Sequence, residues 1–234
     1  MSKILVLGDT HGRTIWNEII DKEVPDRIIF LGDYVTTHEG ISATEQLNNL
    51  EDILSFKEIN PDKTILLRGN HDTQCLGYYW AECYPNEPDV QKVMSVDPLR
   101  SRFEKLTQWV YIDEDLRVLF SHAGVSKVWM KNSNVESIHD INKLGFSELF
   151  GFTPDNLYDQ SGYSVTQPPT WIRPASLLEC NVDEYDQVVG HTPFRGVTKE
   201  IAPNGRAVWF CDTQGENKYL VIDNVKFQPK TFEQ

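Results

Sequence analysis

The amino-acid sequence predicts an α/β (α+β) fold in a single domain that spans residues 1–234. Short apolar runs rich in Ile, Val and Leu recur along the chain, and stretches with helical spacing separate them. Continuous apolar runs are typical of strands that are covered on both faces. The chain has 234 residues, 40% of them hydrophobic, so it can bury one large core but is short for two domains.

The first half of the chain contains three predicted strands, each an apolar run that ends in glycine, with two predicted helices between them. The second helix ends at Asn60-Pro61, because the residue before a proline disfavours the helical conformation. In chain order, the predicted elements are strand 3–8, helix 13–22, strand 27–32, helix 44–59 and strand 64–69.

Four more apolar runs predict strands in the second half, at 117–122, 187–191, 207–212 and 219–223. Residues 204–206 (Asn-Gly-Arg) predict a hairpin turn before the third of these runs. Two irregular segments remain, one near 73–98 and one near 126–170. Long loops in a compact domain are usually functional, so both are predicted to be insertions that form the walls of a substrate cleft.

Charge and cysteine content exclude several classes of protein. The formal net charge is -13 and the pI is near 4.8, which argues against extended nucleic-acid binding and against binding to an anionic membrane surface. The four cysteines form no C-x-x-C pair, and we find no secretory signal or membrane span. These features predict a reduced, cytoplasmic protein, and they leave its oligomeric state open.

Residues suited to binding metal follow five of the predicted strands. The motifs are GDTHG at 8–12, GDYV at 32–35, GNHD at 69–72, SHAG at 121–124 and GHTP at 190–193. Taken singly, each motif is more often an ordinary turn, and His139 follows no strand and is predicted to face solvent. Strand ends in an α/β sheet meet at a common edge, so the repetition predicts one shared site. The candidate ligands are Asp9, His11, Asp33, Asn70, His122 and His191.

Three imidazoles, two carboxylates and one amide oxygen suit a borderline metal, whereas calcium prefers oxygen ligands alone. With one bridging carboxylate, six ligands accommodate two divalent ions about 3.5 to 4 Å apart. We predict manganese, with iron, zinc or nickel as alternatives. Two such ions and two aspartates give a local charge of about +2, which would attract an anionic substrate to an acidic protein.

In their order and wording, the five motifs resemble those of the calcineurin-like metallophosphoesterases. The wording RGNHD, SHAGV and GHTP is closest to the phosphoprotein phosphatase branch, which includes bacterial and phage serine/threonine phosphatases and symmetrical diadenosine tetraphosphate hydrolases. The resemblance implies a β-sandwich of two mixed sheets flanked by helices. It also implies that Asp9, His11 and Asp33 hold one metal. Asp33, Asn70, His122 and His191 would hold the other, with Asp33 as the bridge.

The resemblance further implies roles in binding and catalysis. His71 matches the family's proton donor to the leaving oxygen, although it could instead make only a supporting hydrogen bond. Arg173 in TWIRP matches a phosphate-binding arginine, and the alternative is a surface arginine stacked on Trp171. Arg68 is a second candidate contact to phosphate, or it braces the loop that carries Asn70.

One motif departs from the family pattern. The branch usually continues its second motif as GDxVDRG, where the Asp orients the histidine and the Arg binds phosphate. Here Thr36 and Thr37 stand in those places. His71 is therefore expected to lack its usual partner, and His38 or Glu39 from the same loop are the candidates to compensate.

These observations predict a dinuclear metal-dependent phosphoesterase that hydrolyses phosphate monoesters by attack of a metal-bound hydroxide. Its substrate would be a phosphoprotein or a small phosphate ester. A dinucleoside polyphosphate or nucleotide hydrolase is the alternative, because DTQGE at 212–216 is loosely similar to a segment of the diadenosine tetraphosphate hydrolases, and Tyr78, Tyr79 and Trp80 could stack on a base. A phosphodiesterase and a non-catalytic metal-binding scaffold are further alternatives.

Overall fold

The computed structural model describes residues 2–78, 87–145 and 159–233, and within these ranges the chain forms two five-stranded sheets. The strand order is β10-β9-β1-β2-β3 in the first sheet and β4-β5-β6-β8-β7 in the second. Both sheets are mixed, since each combines parallel and antiparallel pairs. The first sheet consists of β1 (Ile4–Leu7), β2 (Arg27–Phe30), β3 (Thr64–Leu66), β9 (Lys218–Asp223) and β10 (Lys226–Thr231). The second consists of β4 (Val110–Asp113), β5 (Val118–Ser121), β6 (Asp186–Val189), β7 (Thr198–Ile201) and β8 (Ala207–Phe210).

Helices cover the outer faces of both sheets. Five helices precede β4 in the chain: α1 (Trp16–Glu23), α2 (Ala43–Ile59), α3 (Asn70–Cys75), α4 (Pro88–Met94) and α5 (Leu99–Leu106). Two others belong to the second half of the chain, α6 (Lys127–Asn132) and α7 (Pro174–Glu179). Short 3-10 helices cover Ile138–Lys143 and Gln214–Glu216. Within the described ranges, every helix is too short or too polar to cross a lipid bilayer.

Strand β1 shows why the predicted strands are apolar on every residue. Ile4 and Val6 pack into the core between the two sheets, together with residues of β5, β6 and β8. Leu5 and Leu7 point to the opposite face and pack against α1 and α2. Successive side chains of a strand alternate between its faces, so a strand buried on both faces contains no polar position. The expected sandwich of two mixed sheets flanked by helices is therefore confirmed.

The sequence missed three strands, β4, β7 and β10, and each of them lies at the edge of its sheet. Strand β7 (TKEI) is mostly exposed, and β10 (KFQPKT) is only partly buried and contains Pro229. Edge strands have one unpaired side and tolerate both charge and proline, so β7 and β10 lack the apolar run that predicts a strand. Strand β4 (VYID) is apolar but short, and the sequence prediction did not include it. The predicted turn at 204–206 is confirmed, because it joins the antiparallel strands β7 and β8.

Thr64 begins β3 and is fully buried, and its Oγ1 has no hydrogen-bond partner among the described residues. A buried hydroxyl without a partner destabilises the folded state. Thr64→Val keeps the shape of the side chain and suits a strand. We expect it to raise the free energy of unfolding by about 1 kcal/mol, measured by urea denaturation. A lower stability would show that the hydroxyl is satisfied in solution.

Candidate active site

The six candidate metal ligands converge where strands of both sheets end. Asp9 and Asp33 follow β1 and β2, Asn70 begins α3 just after β3, and His122 and His191 follow β5 and β6. Ligand atoms of Asp9, His11 and Asp33 all lie within 4.8 Å of one another, and so do those of Asp33, His122 and His191. Asp33 belongs to both groups, which is the arrangement that a bridging carboxylate between two ions requires.

Asn70 joins the second of these groups. Its Oδ1 lies 2.9 Å from Nε2 of His122 and 2.9 Å from Nδ1 of His191. The rings of these two histidines meet edge to face, with centroids 5.1 Å apart. The structure therefore brings together every residue of the predicted ligand set.

The glycine that precedes several ligands makes room for a carboxylate of a neighbouring loop. A Cβ added to Gly69 would lie 1.9 Å from Oδ1 of Asp33. A Cβ added to Gly190 would lie 2.2 Å from Oδ1 of Asp9. Neither glycine has a positive φ, so close approach of loops, and not backbone freedom, requires glycine here.

Three of the ligand residues adopt left-handed backbone conformations. The φ angles are 47° at His11, 53° at Asp33 and 66° at His191. Non-glycine residues rarely take up such angles, and where they do, the surrounding structure must hold them. Backbone strain of this kind is concentrated at functional sites, so it supports the assignment of this cluster as one.

Each candidate histidine ligand is oriented by a backbone carbonyl. The ring nitrogen that does not face the ligand cluster lies within hydrogen-bond distance of a carbonyl oxygen, and metal-binding histidines in proteins are oriented in the same way. The three contacts are His11 Nδ1 to Val35 O (3.2 Å), His122 Nδ1 to Leu31 O (2.8 Å) and His191 Nε2 to Trp171 O (3.2 Å).

These contacts fix which nitrogens can bind a cation. When Nδ1 of His122 donates to its carbonyl, the neutral ring presents the lone pair of Nε2 to Oδ1 of Asn70. His191 presents Nδ1 to the same oxygen in the same way. Two nitrogen lone pairs then face one amide oxygen, and a cation between the three acceptors resolves that conflict. The residues therefore fit a divalent metal.

The charges at the site lead to the same conclusion. Burial, and then the nearby Asp212, raise the pKa of Asp9 well above its ordinary value. Burial lowers the pKa of His122, but the carboxylates of Asp33 and Asp9 outweigh that effect and raise the pKa to about 10. Carboxylates buried this closely repel one another, and the negative charge that raises the pKa of His122 would also attract a divalent cation, which would displace the proton and leave the neutral ring described above.

Asp72 supports the loops of the site, and it was not predicted from the sequence as a site residue. Its carboxylate accepts backbone N–H groups from Asp33 (2.8 Å), Tyr34 (2.9 Å) and Gly69 (2.9 Å). It thereby ties the loop after β2 to the start of α3. Burial, together with the charge of Asp33, raises its pKa to about 7. Its position in the GNHD motif was the available signal.

A pocket of about 710 Å³ opens onto the ligand cluster. His71 and Thr36 line it on one side and Arg173 on another, and Arg195 and Asp212 contribute from the second sheet. From the insertion near 126–170, Gln160 lines the pocket, whereas no described residue of the 73–98 insertion does so. The remaining parts of these insertions, 79–86 and 146–158, lie outside the described residues.

His71 lacks the aspartate of the family pattern, as expected, and a neighbouring threonine contacts it instead. The hydroxyl of Thr36 contacts Nδ1 of His71, and the backbone N–H of His71 donates to Oδ1 of Asp33 (2.9 Å). His38 and Glu39, the expected substitutes, also line the pocket. Glu39 accepts from the guanidinium of Arg13 at 2.6 Å, so it pairs with a cation and not with His71.

Arg173 combines both of its predicted arrangements. It lines the pocket, and Nη1 donates to the backbone oxygen of His191 (3.3 Å) and to Oγ1 of Thr192 (3.1 Å). Its guanidinium also lies over the ring of Trp171, 5.6 Å from the centroid. Burial lowers its pKa. A partly buried guanidinium held from two sides is well placed to bind an anion in the pocket.

Arg68 lies away from the pocket, so its candidate role as a phosphate contact is not supported. It is buried, and its guanidinium donates to the backbone oxygens of Glu104 (2.7 Å) and Thr107 (2.8 Å). It also lies over the ring of Trp109, 4.6 Å from the centroid. Arg68 follows β3, so these contacts brace the segment that leads to Asn70, which was its alternative role.

Three smaller sequence predictions concern His139, the aromatic residues at 78–80 and the cysteines. His139 is exposed and forms an ion pair with Glu114 at 3.3 Å, so the expectation that it faces solvent is confirmed. The hydroxyl of Tyr78 donates to Glu104 (3.2 Å), and its ring packs beneath Arg100 outside the pocket lining. Tyr79 and Trp80 lie outside the described residues. Free thiols are present at Cys75, Cys180 and Cys211, and Cys83 lies outside the described residues.

Comparison with known proteins agrees with this geometry. The chain is 26% identical over 156 residues to a probable serine/threonine-protein phosphatase of Encephalitozoon cuniculi, a match that covers 63% of this chain and 32% of the relative. The chain thus spans about a third of the length of that relative. It is 24% identical over 233 residues to a symmetrical bis(5'-nucleosyl)-tetraphosphatase of Enterobacter sp., covering 91% of this chain and 70% of the relative.

Solved structures share the fold. A cold-active protein-tyrosine phosphatase of Shewanella sp. matches with a TM-score of 0.66 and 17% identity, over 98% of this chain and 77% of that chain. A serine/threonine phosphatase of Saccharomyces cerevisiae matches with a TM-score of 0.61 and 16% identity, over 99% of this chain and 80% of that chain. The family model described as calcineurin-like phosphoesterase matches residues 2–226. The chain therefore belongs to the calcineurin-like phosphoesterase family.

Proposed function

We propose that this protein is a dinuclear phosphomonoesterase. The observation that carries the proposal is the pair of three-residue clusters that share Asp33, with every histidine of the set oriented by a carbonyl. Asp9, His11 and Asp33 would hold one ion. The other would be held by Asp33, Asn70, His122 and His191.

Two divalent ions at these positions would lower the pKa of water and stabilise negative charge on the phosphoryl oxygens. Side chains of the protein would bind the phosphate, donate a proton and position the ligands. Arg173 binds phosphoryl oxygens with its forked N–H groups, and His71 gives the proton of Nε2 to the leaving oxygen. Asp72 holds the loop of Asp33 in register with α3 through backbone N–H groups, so the ligands are positioned before substrate arrives.

We propose a phosphoprotein or a small phosphate ester as the substrate. The pocket is open and lined by polar side chains around Arg173 and Arg195, which suits a phosphoryl group on varied alcohols. One observation favours the nucleotide alternative: Asp212, Thr213, Gly215 and Glu216, from the DTQGE segment, line the same pocket. The match to the tetraphosphatase of Enterobacter sp. also spans most of this chain. Manganese and a cytoplasmic location stay predictions.

A substrate panel tests the proposal. The protein is incubated with manganese, and separately with a chelator, on p-nitrophenyl phosphate, a phosphopeptide, ATP, a dinucleoside tetraphosphate, bis-p-nitrophenyl phosphate and a cyclic nucleotide. We expect turnover that requires manganese and is highest on the phosphopeptide or the small monoester. Faster hydrolysis of the dinucleoside tetraphosphate would establish the alternative. No metal-dependent turnover on any member would favour a non-catalytic scaffold.

Arg173→Lys keeps the positive charge but removes the planar fork that binds two phosphate oxygens. We expect kcat/KM for phosphate monoesters to fall about 10- to 100-fold, most of it in KM, with the metal content unchanged. Arg206→Lys is the matched control, because Arg206 pairs with Asp186 and the carbonyl of Asp183, outside the pocket lining. Equal kinetics for both variants would remove Arg173 from phosphate binding.

A further inference from the structure

Thr36 has a backbone conformation that β-branched residues rarely adopt, with φ at 60°. It is 1% exposed, and its backbone N–H donates to Oε1 of Gln46 at 2.7 Å. Gln46 is itself fully buried, and its Nε2 donates to Oε2 of Glu87 (2.8 Å) and to the carbonyl of Ile41 (2.8 Å). A buried network therefore holds Thr36 in a strained conformation, and such strain persists where function requires the geometry.

The conformation places the hydroxyl of Thr36 against Nδ1 of His71. Two other contacts fix the same residue. The backbone N–H of His71 donates to Oδ1 of Asp33, and its ring packs edge to face on His11 with centroids 5.2 Å apart. With Nδ1 occupied by Thr36, Nε2 is the nitrogen available to the pocket that His71 lines.

We propose that Thr36 is a positioning residue for His71, one that holds Nε2 towards the leaving oxygen of a bound phosphate ester. This inference rests on the proposed function. An oxygen derived from water forms a new bond to phosphorus as the bond from phosphorus to the leaving oxygen breaks. The electron pair of the broken bond passes to the leaving oxygen, which takes the proton from Nε2, and solvent water later returns a proton to that nitrogen. The contact between the hydroxyl of Thr36 and Nδ1 leaves Nε2 as the ring nitrogen that faces the leaving oxygen.

The buried surroundings explain why a hydroxyl suits this place. Asp9, Asp33 and Asp212 are buried in the same cluster. Besides burial, which is the largest cause, Asp212 and Asp33 raise the pKa of Asp9, and Asp33 raises the pKa of Asp72 and Asp212. A further carboxylate beside His71 would add negative charge to this buried cluster. A hydroxyl accepts the same hydrogen bond without adding charge.

The test compares three variants on two substrates with different leaving groups. Phenyl phosphate requires protonation of its leaving oxygen, whereas p-nitrophenyl phosphate requires little. We expect Thr36→Val to lower kcat on phenyl phosphate about 10- to 100-fold, to change kcat on p-nitrophenyl phosphate by less than about 3-fold, and to leave KM unchanged. Thr36→Ser keeps the hydroxyl and is expected to restore kcat on phenyl phosphate. Thr64→Val is the matched control, a buried Thr→Val change in β3, and should behave as the wild type.

Two further measurements separate positioning from a merely structural role. Added to His71→Asn, the Thr36→Val change is expected to cause no further loss, because it acts only through His71. Nitrogen-15 NMR of the His71 ring is expected to show a shift of Nδ1 in Thr36→Val but not in Thr36→Ser or Thr64→Val.

Equal losses on both substrates, additive losses in the double variant, or an unchanged Nδ1 signal would each overturn the role of Thr36. The NMR result does not depend on turnover. If the wild-type protein hydrolyses no phosphate ester, the proposed function fails. The spectra would then still show whether Thr36 holds the His71 ring.

Discussion

Replacing Asp33 with asparagine is expected to lower kcat/KM on phosphate esters about 10³-fold or more. Asp33 belongs to both candidate ligand clusters, so the change would weaken both proposed metal sites at once. Each bound ion supplies several kcal/mol of stabilisation to the transition state, and 1.36 kcal/mol corresponds to a factor of ten in rate. The measurements are the steady-state kinetics with manganese and the metal content of the purified protein, which should fall from two ions per chain.

Asp113→Asn is a matched control for this prediction. Asp113 is also a buried aspartate, but it lies in β4 and pairs with Arg27 at 3.1 Å, outside the pocket lining. Its replacement is expected to reduce stability while leaving metal content and kcat/KM near the wild-type values. If Asp33→Asn retained two ions per chain and full activity, the shared carboxylate would not be a bridge.

Replacing His71 with asparagine is expected to slow hydrolysis of alkyl phosphates about 10²- to 10⁴-fold, the range that general acid catalysis supplies. The loss on p-nitrophenyl phosphate should be much smaller, because p-nitrophenolate leaves without a proton. The measurement is the ratio of kcat values on the two substrates, for the wild type and the variant. The metal content should not change, because His71 is absent from both ligand clusters among the described residues.

His139→Asn is the control for His71→Asn. His139 is exposed and pairs with Glu114, and it lies outside the pocket lining. This variant should show wild-type kinetics on both substrates. Equal losses on alkyl and p-nitrophenyl phosphates in His71→Asn would assign His71 a supporting hydrogen bond instead of proton transfer.

The convergence of the candidate metal ligands could be predicted from the sequence because strand ends are marked locally. Each ligand follows a short apolar run, and the adjacent glycines make the motifs visible, as Gly69 before Asn70 and Gly190 before His191 illustrate. Parallel strands bring their carboxyl ends to one edge, so residues that are distant in sequence converge without any knowledge of the loops. The structure brings these residues together in two clusters.

The contacts of single side chains could not be predicted in this way. Arg68 and Arg173 both follow apolar or aromatic residues, yet Arg68 turns towards carbonyls at the end of α5 and Arg173 lines the pocket. Thr36 carries no local signal of its left-handed backbone, and its contact with His71 was not predicted although it stands at the motif position of the orienting aspartate. These outcomes depend on the packing of distant segments, such as Gln46 of α2 against the loop after β2.

The sequence by itself determined the class of fold, the acidic character of the chain and the six candidate ligand residues that the fold brings together. Hydrophobic periodicity and strand-end motifs are local patterns, and a buried sheet converts them into one site by geometry alone. Only the tertiary structure showed where the edge strands lie, that Arg68 braces the segment before Asn70, and that Thr36 contacts His71. These features arise from contacts between segments far apart in the chain, where burial and steric fit, rather than local residue preference, select the arrangement.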